Sequence, residues 1–216
     1  MKRLHVLLEG QTEETVLRDV LQPHLEDAGW AVSHSLVKTK RPASGPTHKG
    51  GITHWPKVER EIRMLLHDSS LTVLTTLFDY YGFPPESPGM NTRPPGDPHE
   101  AVRHVEDALK AAIGDQRFVP NLVLHELEAW VFAAADQLGE LLGGELAVRV
   151  REDAVRAGGP ELVNDGPATA PSKRLTSYCP RYVKTMDGPL AIDALGVASL
   201  REQCPHFDDW LRELER

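Results

Sequence analysis

The first fourteen residues constrain the fold more than any other part of the chain. The run from Leu4 to Leu8 is apolar, too short for a helix and typical of a buried strand. Gly10 permits a sharp turn after this strand, and the residues around Thr12 can begin a helix whose first turn favours acidic side chains. We therefore expect Glu9 at the C-terminal end of a strand and Glu13 one turn away, at the start of a helix.

These acidic residues have both a structural and a functional interpretation. Glutamates in a first helical turn complement the helix dipole, which accounts for Glu14 and equally well for Glu13. Glu9 is harder to explain in this way, because a carboxylate directly after an apolar strand, with no basic neighbour, needs a partner. Ligands of open α/β sheets bind at the carboxyl edge, so two carboxylates held there indicate a divalent-metal site.

Strand and helix patterns alternate through the first 135 residues. Helical apolar stripes cover 13–26, 55–67 and 100–113, and a further helix runs to Ala135. Apolar or β-branched runs cover 4–8, 30–38, 71–78 and 117–124, and Pro120 places the last run near an edge. This order predicts an α/β fold with a mainly parallel four-stranded sheet flanked by helices. We assign residues 1–135 to this core and 136–216 to a mostly helical C-terminal extension, packed on the core as one compact unit.

Three of the four predicted strands end in carboxylates, at Glu9, Asp79 and Glu126. Parallel strands share one carboxyl edge, so these side chains are expected to converge. Mg²⁺ takes oxygen ligands and keeps several waters, so two or three carboxylates suffice to hold it. Such ions can activate a water molecule and stabilise the leaving oxygen when a phosphodiester is cleaved. The pattern thus indicates a centre for Mg²⁺ or Mn²⁺.

The charge balance limits the kind of nucleic-acid protein this chain can be. It has 24 basic and 32 acidic residues and a formal net charge of −8. A tight binder of nucleic acid relies on phosphate neutralisation, so we expect weak binding without a partner. The densest positive cluster, around the Gly- and Pro-rich loop 40–51, either contacts phosphates or is a solvated loop.

The remaining composition predicts a soluble cytoplasmic protein. Two cysteines, Cys179 and Cys204, favour a reducing compartment without structural disulfides. Glu9 cuts the N-terminal apolar run too short for a signal peptide. No stretch approaches the ~20 apolar residues of a membrane span.

The sequence Glu9-Gly10-Gln11-Thr12-Glu13 resembles the EGxTE signature of TOPRIM domains in OLD-type (overcoming lysogenization defect) nucleases. Asp79 matches the first acid of the DxD motif of these domains, and the resemblance covers residues 1–135. Further segments, at 125–129, 164–174 and 204–207, resemble a bacterial TOPRIM-like family of unknown function. Members of that family are thought of as companions of ABC-type ATPases in defence-like gene pairs.

The resemblance implies a TOPRIM-like, Rossmann-like fold and a Mg²⁺- or Mn²⁺-dependent nuclease acting on DNA or RNA. By position, Glu9, Glu13 and Asp79 would be metal ligands, and Glu9 could alternatively act as general acid or base. Glu126 would correspond to the additional acid after the fourth strand of OLD-type nucleases. Lys173 is similar in residue type to the lysine that these enzymes place near the scissile phosphate.

The chain departs from the DxD motif, which reads Asp79-Tyr80-Tyr81. Because tyrosine replaces the second acid, a second metal would need Glu126 or Glu128, or the site holds one ion. A topoisomerase-like nucleophilic tyrosine is one interpretation of Tyr80 or Tyr81, and an aromatic flank of the pocket is the one we favour.

Two other functions fit the same residues. A non-catalytic TOPRIM-fold module could bind or regulate a partner, and the missing second acid favours it. A metal-dependent phosphohydrolase or phosphotransferase acting on nucleotides would use the same acids. The sequence is compatible with a homo-oligomer and does not define its size.

Overall fold

The structure is a computed structural model that describes residues 2–37, 52–163, 166 and 169–216. The basic cluster from Lys38 to Lys49 therefore lies outside the described residues, as does most of the segment 164–168.

The core of the fold is a sheet of five short strands: β1 Lys2–Leu8, β2 Trp30–Leu36, β3 Val73–Asp79, β4 Phe118–Val119 and β5 Leu122–Val123. Their order is β2-β1-β3-β4, and β5 continues along β3 beyond β4. Every pairing within the described residues is parallel. The predicted parallel sheet is thus confirmed, although its fourth strand is split into β4 and β5.

The split has a local cause at Pro120 and Asn121. Proline has no N–H to donate to a strand ladder. The Asn121 N–H donates to Thr76 Oγ1 at 2.8 Å, and the Thr76 hydroxyl donates to the Asn121 carbonyl at 2.8 Å. A side chain of β3 therefore replaces the main-chain pairing at this point.

Helices flank the sheet and make up the C-terminal region, as the sequence predicts. In the described chain they are α1 Gln11–Val16, α2 Gln22–Asp27, α3 Trp55–Leu66, α4 Pro98–Ile113, α5 Glu128–Ala133, α6 Ala135–Leu142, α7 Gly144–Ala157, α8 Pro171–Tyr178, α9 Asp187–Leu195, α10 Val197–Gln203 and α11 Pro205–Leu214. A π-helical turn at Leu17–Leu21 separates α1 from α2, where the sequence predicts one continuous helix. Among these helices, none has the length and apolar character needed to cross a membrane.

Successive residues of β1 face two different buried clusters, as expected for a strand covered on both sides. Leu4, Val6 and Leu8 belong to the larger cluster, and Leu7 belongs to the cluster beneath α3 and α4. The larger cluster contains α1 and α2 together with much of the region after residue 135. The helical C-terminal region therefore shares a core with the sheet. Cys179 and Cys204 are buried there as free thiols.

The parallel pairing aligns the strand ends at one edge. Leu8 pairs with Leu77 across β1 and β3, and Asp79 pairs with Val123 across β3 and β5. The residues that directly follow β1, β3 and β5 therefore lie on the same side of the molecule.

Candidate functional site

Main-chain hydrogen bonds hold the Glu9 carboxylate at this edge. Glu9 directly follows β1, and its N–H donates to the Leu77 carbonyl of β3 at 3.3 Å. Its Oε2 accepts a hydrogen bond from the Asp79 N–H at 3.0 Å, and its Oε1 accepts one from the Ile52 N–H at 3.4 Å. The Glu9 side chain is thereby turned across the end of β3.

Glu13, in the first turn of α1, is buried with 4% of its surface exposed. A Cβ atom on Gly10 would lie 3.1 Å from Glu13 Oε2. Gly10 itself has an extended backbone, with φ −157°, which any residue can adopt. The glycine is therefore suited to this position because it leaves room for the carboxylate, and not because of an unusual turn as the sequence suggested.

Asp79 joins the end of β3 to the segment that leads into α5. Its Oδ1 accepts a hydrogen bond from the Leu127 N–H at 2.8 Å. Burial, and then the nearby charge of Glu13, raise the pKa of Asp79 well above its usual range. The positive charge of Lys184 acts in the opposite direction.

Glu9 and Glu13 are perturbed in the same direction. Burial, and then the charge of Glu13, raise the pKa of Glu9 to about 7. The hydrogen bonds that the Glu9 carboxylate accepts from main-chain N–H groups act in the opposite direction. Burial also raises the pKa of Glu13. Three carboxyl groups that resist ionisation together are typical of a site that binds a cation or transfers protons.

Glu128, the first residue of α5, adds a fourth buried acid and an ion pair. It has 0% exposure, and burial raises its pKa. Lys184 Nζ lies 2.9 Å from Glu128 Oε2. Among the described residues, Lys184 is the side chain that pairs with the Glu128 carboxylate. We refer to Glu9, Glu13, Asp79 and Glu128 as the acidic cluster.

Lys184 is the functional candidate that sequence reasoning missed. Burial lowers its pKa, but attraction to Glu128, Asp79 and Glu13 outweighs this and raises the pKa above its ordinary range. Lys184 lies in the connection between α8 and α9, far from the acids in sequence. It belongs to no motif with a characteristic spacing, so only the folded chain identifies it.

The other two predicted site residues lie elsewhere. Lys173 is exposed on α8. Glu126 is buried at the start of that helix, where its carboxylate accepts hydrogen bonds from the Ser172 N–H at 2.9 Å and from Ser172 Oγ at 3.1 Å. Glu126 contributes to the raised pKa of Glu128, so it borders the acidic cluster while serving as a cap for α8. The structure thus brings together Glu9, Glu13, Asp79 and Glu128 with Lys184.

The donor chemistry of the acidic cluster suits Mg²⁺ or Mn²⁺, because hard divalent cations prefer carboxylate oxygens. The buried Glu128 carboxylate, now paired with the Lys184 ammonium group, offers the same kind of oxygen ligand. As the side chains stand in the described residues, no set of three His, Cys, Asp or Glu groups could hold a metal ion. A bound cation would therefore compete with Lys184 for the Glu128 carboxylate. It would also compete with the main-chain N–H groups that donate hydrogen bonds to the carboxylates of Glu9 and Asp79.

The two tyrosines of the DxD-like motif continue the pairing of β3 past Asp79. The Tyr80 N–H donates to the Val123 carbonyl at 3.0 Å, and the Tyr81 N–H donates to the His125 carbonyl at 2.7 Å. Tyr81, at the position of the second acid, is 37% exposed. Its hydroxyphenyl group is therefore partly accessible to solvent.

A family model spans almost the whole chain, from residue 8 to residue 215, and its description is Domain of unknown function (DUF4276). The chain belongs to the DUF4276 family. No curated protein and no solved structure matches it. The DUF4276 region includes both the sheet and the helical C-terminal region, so the acidic cluster and Lys184 are parts of one family unit.

Proposed function

We propose that this DUF4276 chain is a TOPRIM-like, Mg²⁺- or Mn²⁺-dependent nuclease that cleaves phosphodiester bonds of DNA. The observation that supports this most strongly is the position of Glu9, Glu13 and Asp79 at one carboxyl edge of a parallel sheet. Their order and location match the acids of the EGxTE and DxD motifs. Phage defence or DNA maintenance, together with an ABC-type ATPase partner, is the setting that the resemblance favours.

The residues of the site would divide the work between metal binding and charge stabilisation. Glu9, Glu13, Asp79 and Glu128 would hold the cation, which when bound supplies activation of water and stabilisation of the leaving oxygen. Lys184 already lies among these acids, so its ammonium group would stabilise negative charge developing on the phosphate. The resemblance to OLD-type nucleases assigns this role to Lys173.

Glu9 has a second role open to it. A carboxyl group with a pKa of about 7 is half ionised near neutral pH, which suits a general acid or base. Glu9 could therefore take a proton from the attacking water or return one to the leaving oxygen. The pH dependence of cleavage would distinguish this role from metal binding alone.

A plasmid-nicking assay with Mg²⁺ or Mn²⁺ tests the proposal. The matched variants are Glu9→Gln and Asp79→Asn, which keep shape but remove charge, with the exposed Glu140→Gln as control. We expect a loss of about 100-fold or more in both site variants and none in the control. Nicking that survives both substitutions would show that another part of the protein, or a contaminant, cuts the DNA.

The ATPase partner is tested in the same assay. Since the net charge of −8 predicts weak DNA binding by the isolated chain, a cognate ATPase should increase nicking at physiological salt. Tight DNA binding by the chain alone would contradict this part of the proposal.

A second candidate is a non-catalytic module that binds or regulates a partner. Two observations favour it: Tyr81 replaces the second DxD acid, and Lys184 forms an ion pair with Glu128. No nicking under any metal condition, even with the ATPase present, would favour this module. Release of phosphate from mononucleotides, without nicking, would instead assign a nucleotide phosphohydrolase.

A further inference from the structure

The loop between β3 and α4 forms a pocket whose lining begins at Tyr80, the residue after Asp79 of the acidic cluster. Its volume is about 280 Å³, close to the lower end of the range for ligand pockets, about 300 Å³. The side chains that line it include Tyr80, Tyr81, Phe83, Met90, Asn91 and Arg93. The proposed metal chemistry uses none of these residues.

The pocket is pre-formed because its loop is fixed at both ends. Gly82 has φ +76°, and the turn is closed by a hydrogen bond from the Phe83 N–H to the Tyr80 carbonyl at 3.2 Å. At Gly89, with φ +82°, a Cβ atom would lie 2.8 Å from the Ala108 Cβ of α4. Close packing of the loop on α4 thus holds the far side of the pocket in place.

Aromatic packing fixes the floor. The Phe83 ring stacks on Phe78 at an interplanar angle of 25°, with centroids 6.3 Å apart, and it contacts Trp55 at the same centroid distance. Phe83 is therefore a structural part of the pocket. Tyr81, by contrast, presents part of its ring to solvent.

A cation lies over one of the pocket's rings. The Arg93 guanidinium stands 5.7 Å from the centroid of the Tyr80 ring, and Arg93 is exposed. Tyr80 is itself buried, with 7% of its surface exposed, so the ring of this pocket that a ligand can reach is that of Tyr81. The pocket thus combines an exposed aromatic ring with an exposed arginine, as proteins that bind single-stranded nucleic acid do: the ring stacks on a base, and the cation attracts the phosphate backbone. A base inside a duplex cannot present its face in this way.

We propose that this pocket binds an unpaired nucleobase next to the phosphodiester at the acidic cluster, so that the substrate is single-stranded DNA or a locally unpaired segment. The identification of the ligand as a substrate strand rests on the proposed nuclease function. The location supports it, because Tyr80 and Tyr81 directly follow Asp79, with successive Cα atoms about 3.8 Å apart. The lining of the pocket therefore begins within one residue of the acid that would hold the metal beside the phosphate.

Fluorescence anisotropy in EDTA at low salt tests this binding without any cleavage. The probes are a labelled single-stranded oligothymidine, an abasic strand with the same number of phosphates, and a duplex of the same length. The variants are Tyr81→Ala and Tyr81→Phe, with Val155→Ala, an apolar residue 75% exposed on α7, as the control. Tyr81→Leu, which keeps apolar bulk without a ring, replaces Tyr81→Ala if circular dichroism shows that the alanine variant is unfolded.

We expect Tyr81→Ala to weaken binding of the oligothymidine about 10-fold, because stacking on one base is lost. Tyr81→Phe and Val155→Ala should bind it as the unmodified protein does. The abasic strand should bind more weakly than the oligothymidine and should be insensitive to all three substitutions. Equal affinity of Tyr81→Ala and the unmodified protein, equal losses on the abasic strand, or a preference for the duplex would overturn the inference.

The two proposals can fail separately. Base-dependent binding that Tyr81→Ala weakens, in a protein that never nicks DNA, would support the pocket and refute the nuclease. Nicking that depends on Glu9 and Asp79, with no base-dependent binding, would support the nuclease and refute the pocket.

Discussion

Replacement of Glu9 by glutamine should stabilise the metal-free protein at alkaline pH while it removes metal binding. The glutamine keeps the size of the side chain and cannot ionise. The pKa of Glu9 is about 7 in the folded chain against 4.5 for an ordinary glutamate, a difference that corresponds to about 3 kcal/mol when the group is fully ionised. We expect about 2 kcal/mol, because neighbouring acids can take up a proton in its place and Glu9 keeps some contact with water.

The sign follows from the order of the two pKa values. Below pH 4.5 the carboxyl group is protonated in the folded and unfolded states, so Glu9 does not change the free energy of unfolding with pH. Between pH 4.5 and about 7, the unfolded chain releases its proton while the folded chain retains it, so the unmodified protein loses stability as pH rises. Above this window the loss is complete, and Glu9→Gln does not suffer it.

Urea unfolding in EDTA at about pH 5 and about pH 8 measures the effect. The advantage of Glu9→Gln over the unmodified protein should grow by about 2 kcal/mol between the two conditions, equivalent to about 4–8 °C in Tm. Any loss of the weak hydrogen bond from Ile52 does not depend on pH and cancels in this comparison. The exposed Glu140→Gln should show no such change.

Addition of Mg²⁺ or Mn²⁺ completes the experiment. A cation that binds only the folded state raises the stability of the unmodified protein, by about 2.7 kcal/mol at 100 times its Kd, and Glu9→Gln should lose most of that increase. A stability difference between the two proteins that stays constant with pH would refute the assigned pKa of Glu9. An equal metal-induced stabilisation of both would remove Glu9 from the metal site.

Three further predictions concern Gly10, Lys184 and Glu161. Gly10→Ala should leave the circular dichroism spectrum unchanged but lower the Mn²⁺ affinity measured by calorimetry about tenfold, because a Cβ only 3.1 Å from Glu13 Oε2 displaces that carboxylate. Unchanged affinity would show that the carboxylate has room to move. Lys184→Met should lower the free energy of unfolding by about 1–3 kcal/mol at about pH 8, because the Glu128 carboxylate loses its ammonium partner. The Lys184→Met/Glu128→Gln double variant should recover most of the lost stability, and additive losses in the double-mutant cycle would disprove the coupling. Glu161→Ala should lower the free energy of urea unfolding by about 2 kcal/mol, because the buried carboxylate accepts hydrogen bonds from two main-chain N–H groups at the start of α11. Glu161→Gln should lower it by about half as much. Equal stability of all three proteins would contradict this capping role.

Much of the fold follows from local sequence patterns. An apolar run of strand length followed by an amphipathic helical stripe, repeated along the chain, is sufficient to predict a parallel sheet covered by helices. The π-helical turn at Leu17–Leu21 was not predictable, because the apolar stripe runs through it without interruption. The division of the fourth strand was signalled only in part, since Pro120 marks a break but the hydroxyl of Thr76 determines how the break is bridged.

The sequence by itself determined that Glu9 and Asp79 meet, because each lies at the carboxyl end of a parallel strand and parallel strands end at one edge. Only the tertiary structure decided which of Glu126 and Glu128 joins the acidic cluster, because residues two apart at the start of a helix point to different neighbours. The Glu126 carboxylate accepts hydrogen bonds from α8, and the Glu128 carboxylate pairs with Lys184 in the acidic cluster. Only the tertiary structure supplied Lys184, because its partners are distant in sequence and no local pattern records where a connection between two helices will be buried.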